Sequence, residues 1–215
     1  MNIFIMGAPG SGKGTFSSRM KDEFNLNHIS TGDIFRANIA NETELGKQAK
    51  AYTEKGLLVP DEITNKMVAD YLKNLKDPKN GYLLDGYPRT LDQALAFEQM
   101  TKGSDLAVDH VIVMDVPFDV LTKRITGRRT CKKCGAIYNI YTTPPKQEGV
   151  CDVDGEPLSQ RKDDNEESLK TRLDEYAKNT EPVIAYYEKE GIVHHIDANR
   201  DVNEIWPSIV EALKN

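Results

Sequence analysis

The sequence is poor in cysteine, with three in 215 residues, and poor in aromatic residues, at 7 % with a single tryptophan. Cysteines so few and odd in number exclude a disulfide-stapled scaffold and fit a reducing compartment. No apolar run approaches the ~20 residues that a membrane helix needs. No basic lead and no small-residue cleavage site precede Ile3, so no secretory leader is expected and the reading is a cytoplasmic protein. An excess of positive charge is missing too. The net charge of −6 argues against a general nucleic-acid binder. There is no internal repeat, low-complexity tract or long linker. What is present is 39 % hydrophobic and 29 % charged residues, the balance of a globular chain with one substantial core and room for small insertions.

The most informative stretch runs from Gly7 to Thr15 and reads Gly-Ala-Pro-Gly-Ser-Gly-Lys-Gly-Thr. The apolar run Asn2 to Met6 precedes it and reads as a buried strand, and Thr15 to Phe24 follows with helical spacing and no Pro or Gly. Strand, glycine-rich loop and helix form the context of a phosphate loop. Four glycines let successive N–H groups point into one concavity, and the helix N-terminus adds its positive dipole end. Lys13 supplies a point charge for β- and γ-phosphates. The general pattern places Ser or Thr directly after the Lys. Here Gly14 stands there and Thr15 comes one residue later.

Further along, Asn27 to Ser30 reads as a second strand. A helix begins at Thr31-Gly32-Asp33 with Thr31 or Asp33 as its cap. A helix from about Thr43 to Lys55 stops at Gly56, and Asp61 caps the next, which runs to about Lys73. Tyr82 to Asp85 is an apolar strand ending in an acid, the place where phosphate-loop proteins hold magnesium. Thr90 caps a helix with Gln93 on its first turn. His110 to Val116 and Ile192 to Ile196 are further strands, and Phe118 to Thr126 and Val202 to Leu213 further helices. Strands alternating with helices predict a parallel α/β sheet with right-handed crossovers. Residues 127–164 break that rhythm. They hold all three cysteines with several prolines and glycines, and predict a small β-rich insertion before helix resumes over 165–178.

Taken with His28 to Asp33, Leu84 to Thr90, Gly127-Arg128-Arg129, Gln160 to Asn165 and Lys170 to Leu173, the loop identifies a family. Over essentially its whole length the chain resembles the adenylate kinases of the long, lidded bacterial type, among the nucleoside monophosphate kinases. The resemblance implies a five-stranded parallel sheet flanked by helices, with a core of residues 1–29, 61–126 and 165–215. It implies an AMP-binding part at 30–60 and a lid at 127–164. It also implies the reaction ATP + AMP = 2 ADP with Mg2+. With no dimer-forming stripe in the sequence a monomer is the default expectation, and neither nucleic acid nor membrane is expected as a partner. The chemistry agrees, because phosphoryl transfer asks mainly for in-line positioning and neutralisation of spread charge, which favours arginine.

Residue by residue, the resemblance gives the ATP phosphates to Gly10, Ser11, Gly12, Lys13, Gly14 and Thr15. ATP is further given Arg128, Ile137 and Tyr138 from the lid, and Arg200 near its adenine. AMP is given Thr31, Arg36, Leu57, Leu58, Val59, Gly86, Tyr87, Pro88, Arg89 and Gln93. Arg161 and Arg172 would bridge the two nucleotides, Arg124 would come to ATP with Arg128, and Asp85 would position hydrated magnesium. Lys13, Asp85, Arg89, Arg124, Arg128, Arg161 and Arg172 are the catalytic set. Phe16 stands where most family members carry Gln, and is expected to pack.

Cys131-x-x-Cys134 and Cys151-x-x-Asp154 are separated by sixteen residues, the spacing of a four-ligand metal site. This set of three cysteines and one aspartate resembles the zinc-binding lids of some bacterial adenylate kinases. Four protein ligands leave no open position, so the site reads as structural. Three readings compete with this one. Another monophosphate kinase would take UMP, CMP or GMP. A zinc-ribbon nucleic-acid binder would use Lys123, Arg124, Arg128, Arg129, Lys132 and Lys133, but that run has no interleaved aromatics. A phosphate-loop switch would need no second clamp of arginines.

Overall fold

The computed structural model describes residues 1–214. Asn215, the last residue of the expected core range, lies outside the described residues. Strand β1 (Asn2–Met6) is buried along its whole length, as its unbroken apolar sequence requires. It pairs in parallel with β3 (Tyr82–Asp85) on one side and β4 (His110–Asp115) on the other. Strands β2 (Asn27–Ser30) and β8 (Val193–Asp197) form the edges, giving the order β2-β3-β1-β4-β8 with every pair parallel.

Side chains alternate across this sheet and divide the core in two. Phe4, Met6, Tyr82, Leu84, Val111 and Val113 face α4 (Asp61–Lys73), α5 (Leu91–Thr101) and α8 (Glu181–Lys189). There Phe4 meets Phe97 edge-on with ring centroids 4.9 Å apart. Ile3, Ile5, Leu83, Ile112 and Met114 face α1 (Lys13–Phe24) and α9 (Val202–Ala212). Phe16 joins this second core, 2 % exposed, so its ring packs as the sequence predicts. Because the chain moves to opposite sides of β1 to make β3 and β4, a crevice opens at the carboxyl ends of the strands. The loop of residues 7–12 lies there, with Ser30 and Asp85 at the neighbouring strand ends.

Helices α2 (Thr31–Ala40) and α3 (Glu44–Thr53) pack on each other beyond β2. Helix α6 (Phe118–Thr126) leads into a separate antiparallel sheet. In it β5 (Arg128–Cys131) lies between β6 (Ile137–Asn139) and β7 (Leu158–Ser159). Helix α7 (Glu166–Glu175) returns to the core, capped by Asn165, whose side chain accepts from Ser168 N at 2.9 Å.

Three local expectations are corrected. Neither Thr31 nor Asp33 caps α2: Ser30 does, its Oγ accepting from Asp33 N at 3.3 Å. Thr31 is buried, and its hydroxyl donates to Gly86 O at 2.8 Å. Nor does Asp61 cap α4. Pro60 holds the cap position, and the Asp61 carboxylate turns away to accept from Thr90 and Gln93 of the neighbouring α5 segment. Lastly, α7 does not end at Lys178. It runs through a wider turn over Tyr176–Thr180 into α8, whose first turn holds Pro182. Proline offers no N–H to the preceding turn, and a π turn absorbs that loss without a break.

Candidate functional site

The turn from β1 into α1 is possible only with glycine. Gly12, the residue before α1, sits at φ 99, and Gly10 at φ 86 packs so closely on Ile125 that a Cβ would lie 3.0 Å from its Cγ1. Lys13 curls back over the loop, and its Nζ donates to Gly7 O at 2.6 Å and Ala8 O at 3.0 Å. Burial first of all, against the pull of Asp85 and with a further push from Arg89, Arg172 and Arg128, lowers its ammonium to about 7. Ser11 Oγ is buried beside it with no protein partner.

Around this loop the fold gathers arginines from distant parts of the chain. Arg36 comes from α2, Arg89 from the turn after β3, Arg128 from β5, Arg161 from the segment after β7, and Arg172 from α7. Arg161 is lowered to about 10 by burial, then by Arg128 and Arg36; Arg172 is lowered to about 10 by burial, with Asp163 pulling it back up and Arg128 and Arg89 pushing it down. Burial also lowers Arg89. Carboxylates hold the set in place. Asp164, fully buried, takes Arg128 in a two-pronged pair, and Asp163 accepts from Arg172 at 3.0 Å. Asp33 accepts from Arg36 at 2.5 Å. Arginines gathered this closely, three of them lowered in basicity first of all by burial, offer a site able to take a polyanion.

Arg124 and Arg200 stand apart from this cluster. Arg124 donates to Ala198 O at 2.8 Å and reaches Ser11 O at 3.5 Å. Arg200 pairs with Asp197 at 3.4 Å and donates to Ser208 Oγ at 3.2 Å. Asp85 closes the floor at the end of β3, with Ser17 Oγ 3.5 Å away.

Beside the arginines lies a polar wall from residues 86–93. Gly86 has φ 81, and a Cβ there would lie 2.9 Å from Thr31 Oγ1 and 2.8 Å from Arg89 Nη2. Arg89 Nε donates to Gly86 O at 2.7 Å, and Arg89 N donates to Gln93 Oε1 at 2.8 Å. Tyr87 and Gln93 are buried, and Tyr87 donates to the Asn65 side chain at 2.7 Å. Pro88 follows Tyr87 in this wall. Of the connection before α4, Val59 is buried and Leu57 exposed, with Leu58 between them. Ile137 of the inserted sheet lies over the phosphate loop: a Cβ on Gly14 would be 3.0 Å from its Cδ1. Thr15 follows on the exposed side of α1.

The inserted sheet holds the second chemical centre. One ligand atom each from Cys131, Cys134, Cys151 and Asp154 lies within 4.8 Å of all the others. Cys134 and Cys151 sulfurs are 3.5 Å apart, and Cys131 Sγ is 3.4 Å from Asp154 Oδ2. Four ligands ~2.0–2.3 Å from a tetrahedral ion stand about 3.3–3.8 Å from one another, so the set fits zinc. Two matching turns build it. Gly135 N donates to Cys131 O at 3.1 Å, and Gly155 N to Cys151 O at 2.9 Å, both glycines having positive φ. Gly155 follows Asp154 as Gly135 follows Cys134, a signal for the second turn that the sequence carried and the spacing argument did not use. Tyr138 Oη lies 3.6 Å from Cys151 Sγ and accepts from Asp152 N at 2.8 Å.

Comparison with known proteins agrees with this geometry. A family model for adenylate kinase matches residues 5–192. The adenylate kinase of Clostridium acetobutylicum is 47 % identical over 213 residues, covering 99 % of both chains. Those of Bacillus licheniformis and Caldanaerobacter subterraneus subsp. tengcongensis are each 48 % identical, over 99 % of this chain and 98 % and 96 % of theirs. A phosphate loop under converging arginines, matched along nearly the whole length to these relatives, means that the chain belongs to the adenylate kinase family.

Proposed function

We propose that the chain moves the γ-phosphoryl group of ATP to the phosphate of AMP, reversibly, inside the arginine cluster. The observation that carries this is the gathering of Arg36, Arg89, Arg161 and Arg172 opposite a phosphate loop, since one nucleotide alone needs no second clamp. The loop amides of residues 10–15 and Lys13 hold the ATP phosphates. Arg36 and Arg89 hold the AMP phosphate, with Arg161 and Arg172 between the two. Arg128 neutralises the transferring group from above, and Arg124 and Arg200 serve the ATP side. The connection Leu57–Val59, with Thr31, Gly86, Tyr87, Pro88 and Gln93, surrounds the AMP base. Ile137 and Tyr138 border the ATP nucleoside.

No general base is required, because the attacking phosphate oxygen is already an anion at neutral pH. Positioning and charge stabilisation do the work. Asp85, at the end of β3, would position the hydrated Mg2+ that accompanies ATP, which would add positive charge at the phosphates. Residues 127–164 act as a lid that excludes water from the transfer, and 30–60 as the AMP-binding part. Zinc on Cys131, Cys134, Cys151 and Asp154 supplies folding order to the lid and no chemistry to the transfer. The protein works as a cytoplasmic monomer. A coupled assay with AMP, GMP, UMP and CMP as acceptors tests the assignment. AMP is expected to be preferred by at least about a hundredfold in kcat/KM, and equal rates with UMP or GMP would defeat it.

A further inference from the structure

The carboxylate of Asp61 is the feature of this wall that its place in the sequence does not account for. It opens α4 yet makes no cap there. Instead Oδ2 accepts from Thr90 Oγ1 at 2.8 Å and Oδ1 accepts from Gln93 Nε2 at 2.7 Å. The Thr90 hydroxyl in turn accepts from Gln93 N at 3.1 Å. On its other side Gln93 Oε1 accepts from Arg89 N at 2.8 Å. These partners are one-way: an ionised carboxylate only accepts, and a backbone N–H only donates. A flipped Gln93 amide would set its oxygen against the carboxylate and its NH2 against the Arg89 N–H, losing two hydrogen bonds in a nearly solvent-free place. The amide therefore has one orientation, with one N–H and one oxygen lone pair left over.

We propose that Asp61 is a positioning residue that sets base choice at the acceptor site, by fixing which end of Gln93 donates and which accepts. The proposal rests on the reading above that Gln93 meets the AMP base. A carboxamide edge with a fixed N–H beside a fixed oxygen matches a base presenting a ring acceptor beside an amino donor, as adenine does. It mismatches a base presenting a ring N–H beside a carbonyl, as hypoxanthine and guanine do. With only the Arg89 N–H left to orient it, the amide could flip at the loss of one hydrogen bond instead of two and serve either base, so Asp61 supplies part of the discrimination although it need not touch the nucleotide. The alternative is that Asp61 merely ties α4 to α5.

Initial rates with AMP and IMP, which differ only in this edge, separate the two. The variants are Asp61→Ala, Asp61→Ser, Asp61→Asn and Gln93→Ala. We expect Asp61→Ala and Asp61→Ser to lower the AMP-to-IMP ratio of kcat/KM by about tenfold. Asp61→Asn should keep that ratio within about twofold of wild type, because its Oδ1 can accept from Gln93 while its Nδ2 donates to Thr90. If Asp61→Ala does not fold, Asp61→Ser, still a good first-turn residue, gives the same reading. Equal losses for AMP and IMP in the Ala or Ser variant, with Gln93→Ala lowering the ratio, would overturn the role of Asp61 and leave the Gln93 reading standing. An unchanged ratio in Gln93→Ala would overturn the Gln93 reading and the proposal with it.

Discussion

At the residue scale the site is organised by charge that is uncomfortable until an anion arrives. Lys13 is packed against carbonyls of its own loop with its ammonium lowered to about 7 mainly by burial, and burial likewise lowers Arg89, Arg161 and Arg172. Phosphate should reverse this. Nucleotide binding near pH 7.5 is expected to take up a fraction of a proton at Lys13, because its folded-state value lies below that pH and a bound polyanion raises it. Calorimetric titration of ATP in two buffers of different ionisation enthalpy measures that uptake. Lys13→Ala should abolish it and lower turnover by about a thousandfold or more while the fold remains; an uptake unchanged in the variant would place the proton elsewhere. The loop and its lysine were legible in the sequence, because glycine spacing fixes backbone directions directly. The Asp61–Gln93 contact was not, since it joins residues thirty-two apart through side chains whose local rules suggested a helix cap and a first-turn polar residue.

At the scale of elements, most of the fold was legible. The uninterrupted apolar strands β1 and β4 and the helix cap Thr90 stand where local sequence put them, and Thr43 and Asn165, read as helix starts, prove to be caps. What could not be read was the strand order, and which arginine meets which carboxylate, because both depend on crossovers that bring distant segments together. The edge strand β8 shows how little the local pattern says. His195 lies between Asp115 of β4 and Glu188 of α8, with ring nitrogens 2.8 Å and 3.1 Å from their carboxylates. Burial lowers its basicity, but the two carboxylates outweigh this, and its folded-state value lies above the ordinary 6.5. A raised value in the folded state means stability that is full below about pH 6.5 and is lost as pH rises through the folded value. The melting temperature of the wild type should therefore fall relative to His195→Gln between pH 6 and 8. Parallel pH profiles for the two would show that the bridge carries no stability. A second prediction concerns the base of the inserted sheet. Asp164 is fully buried against Arg128, so Asp164→Ala should cost about 3–5 kcal/mol by leaving that cation unpaired. Urea unfolding measures it, and a loss under about 1 kcal/mol would mean that the pair is solvated.

At the scale of the whole molecule, one small sheet must stay ordered while carrying little apolar surface. Among the described residues the buried members of 127–164 are Gly127, Cys131, Asn139, Cys151 and Asp164, with no large apolar side chain among them, while Ile140, Tyr141 and Val153 are exposed. A unit of this size, below ~40 residues, needs a staple. Metal on the four-ligand set would provide it, and structural zinc can contribute on the order of 10 kcal/mol to the folding of small peptides. Removing metal, or replacing Cys131 and Cys134 by Ser, should lower the melting temperature and loosen the inserted sheet. Below the transition, turnover should fall only modestly, because no ligand atom touches the arginine cluster. A metal-free wild type, or a double variant with unaltered melting, would remove the structural role.

Transfer between two nucleotides with water kept out is the central property proposed for the arginine cluster and the phosphate loop. The direct measurement follows the phosphorus resonances of ATP and AMP with Mg2+ during turnover. Expected are two ADP formed for each ATP consumed, approach to equilibrium from either side, and almost no inorganic phosphate. Release of phosphate in step with ATP loss, or ATP loss at the same rate without AMP, would contradict it.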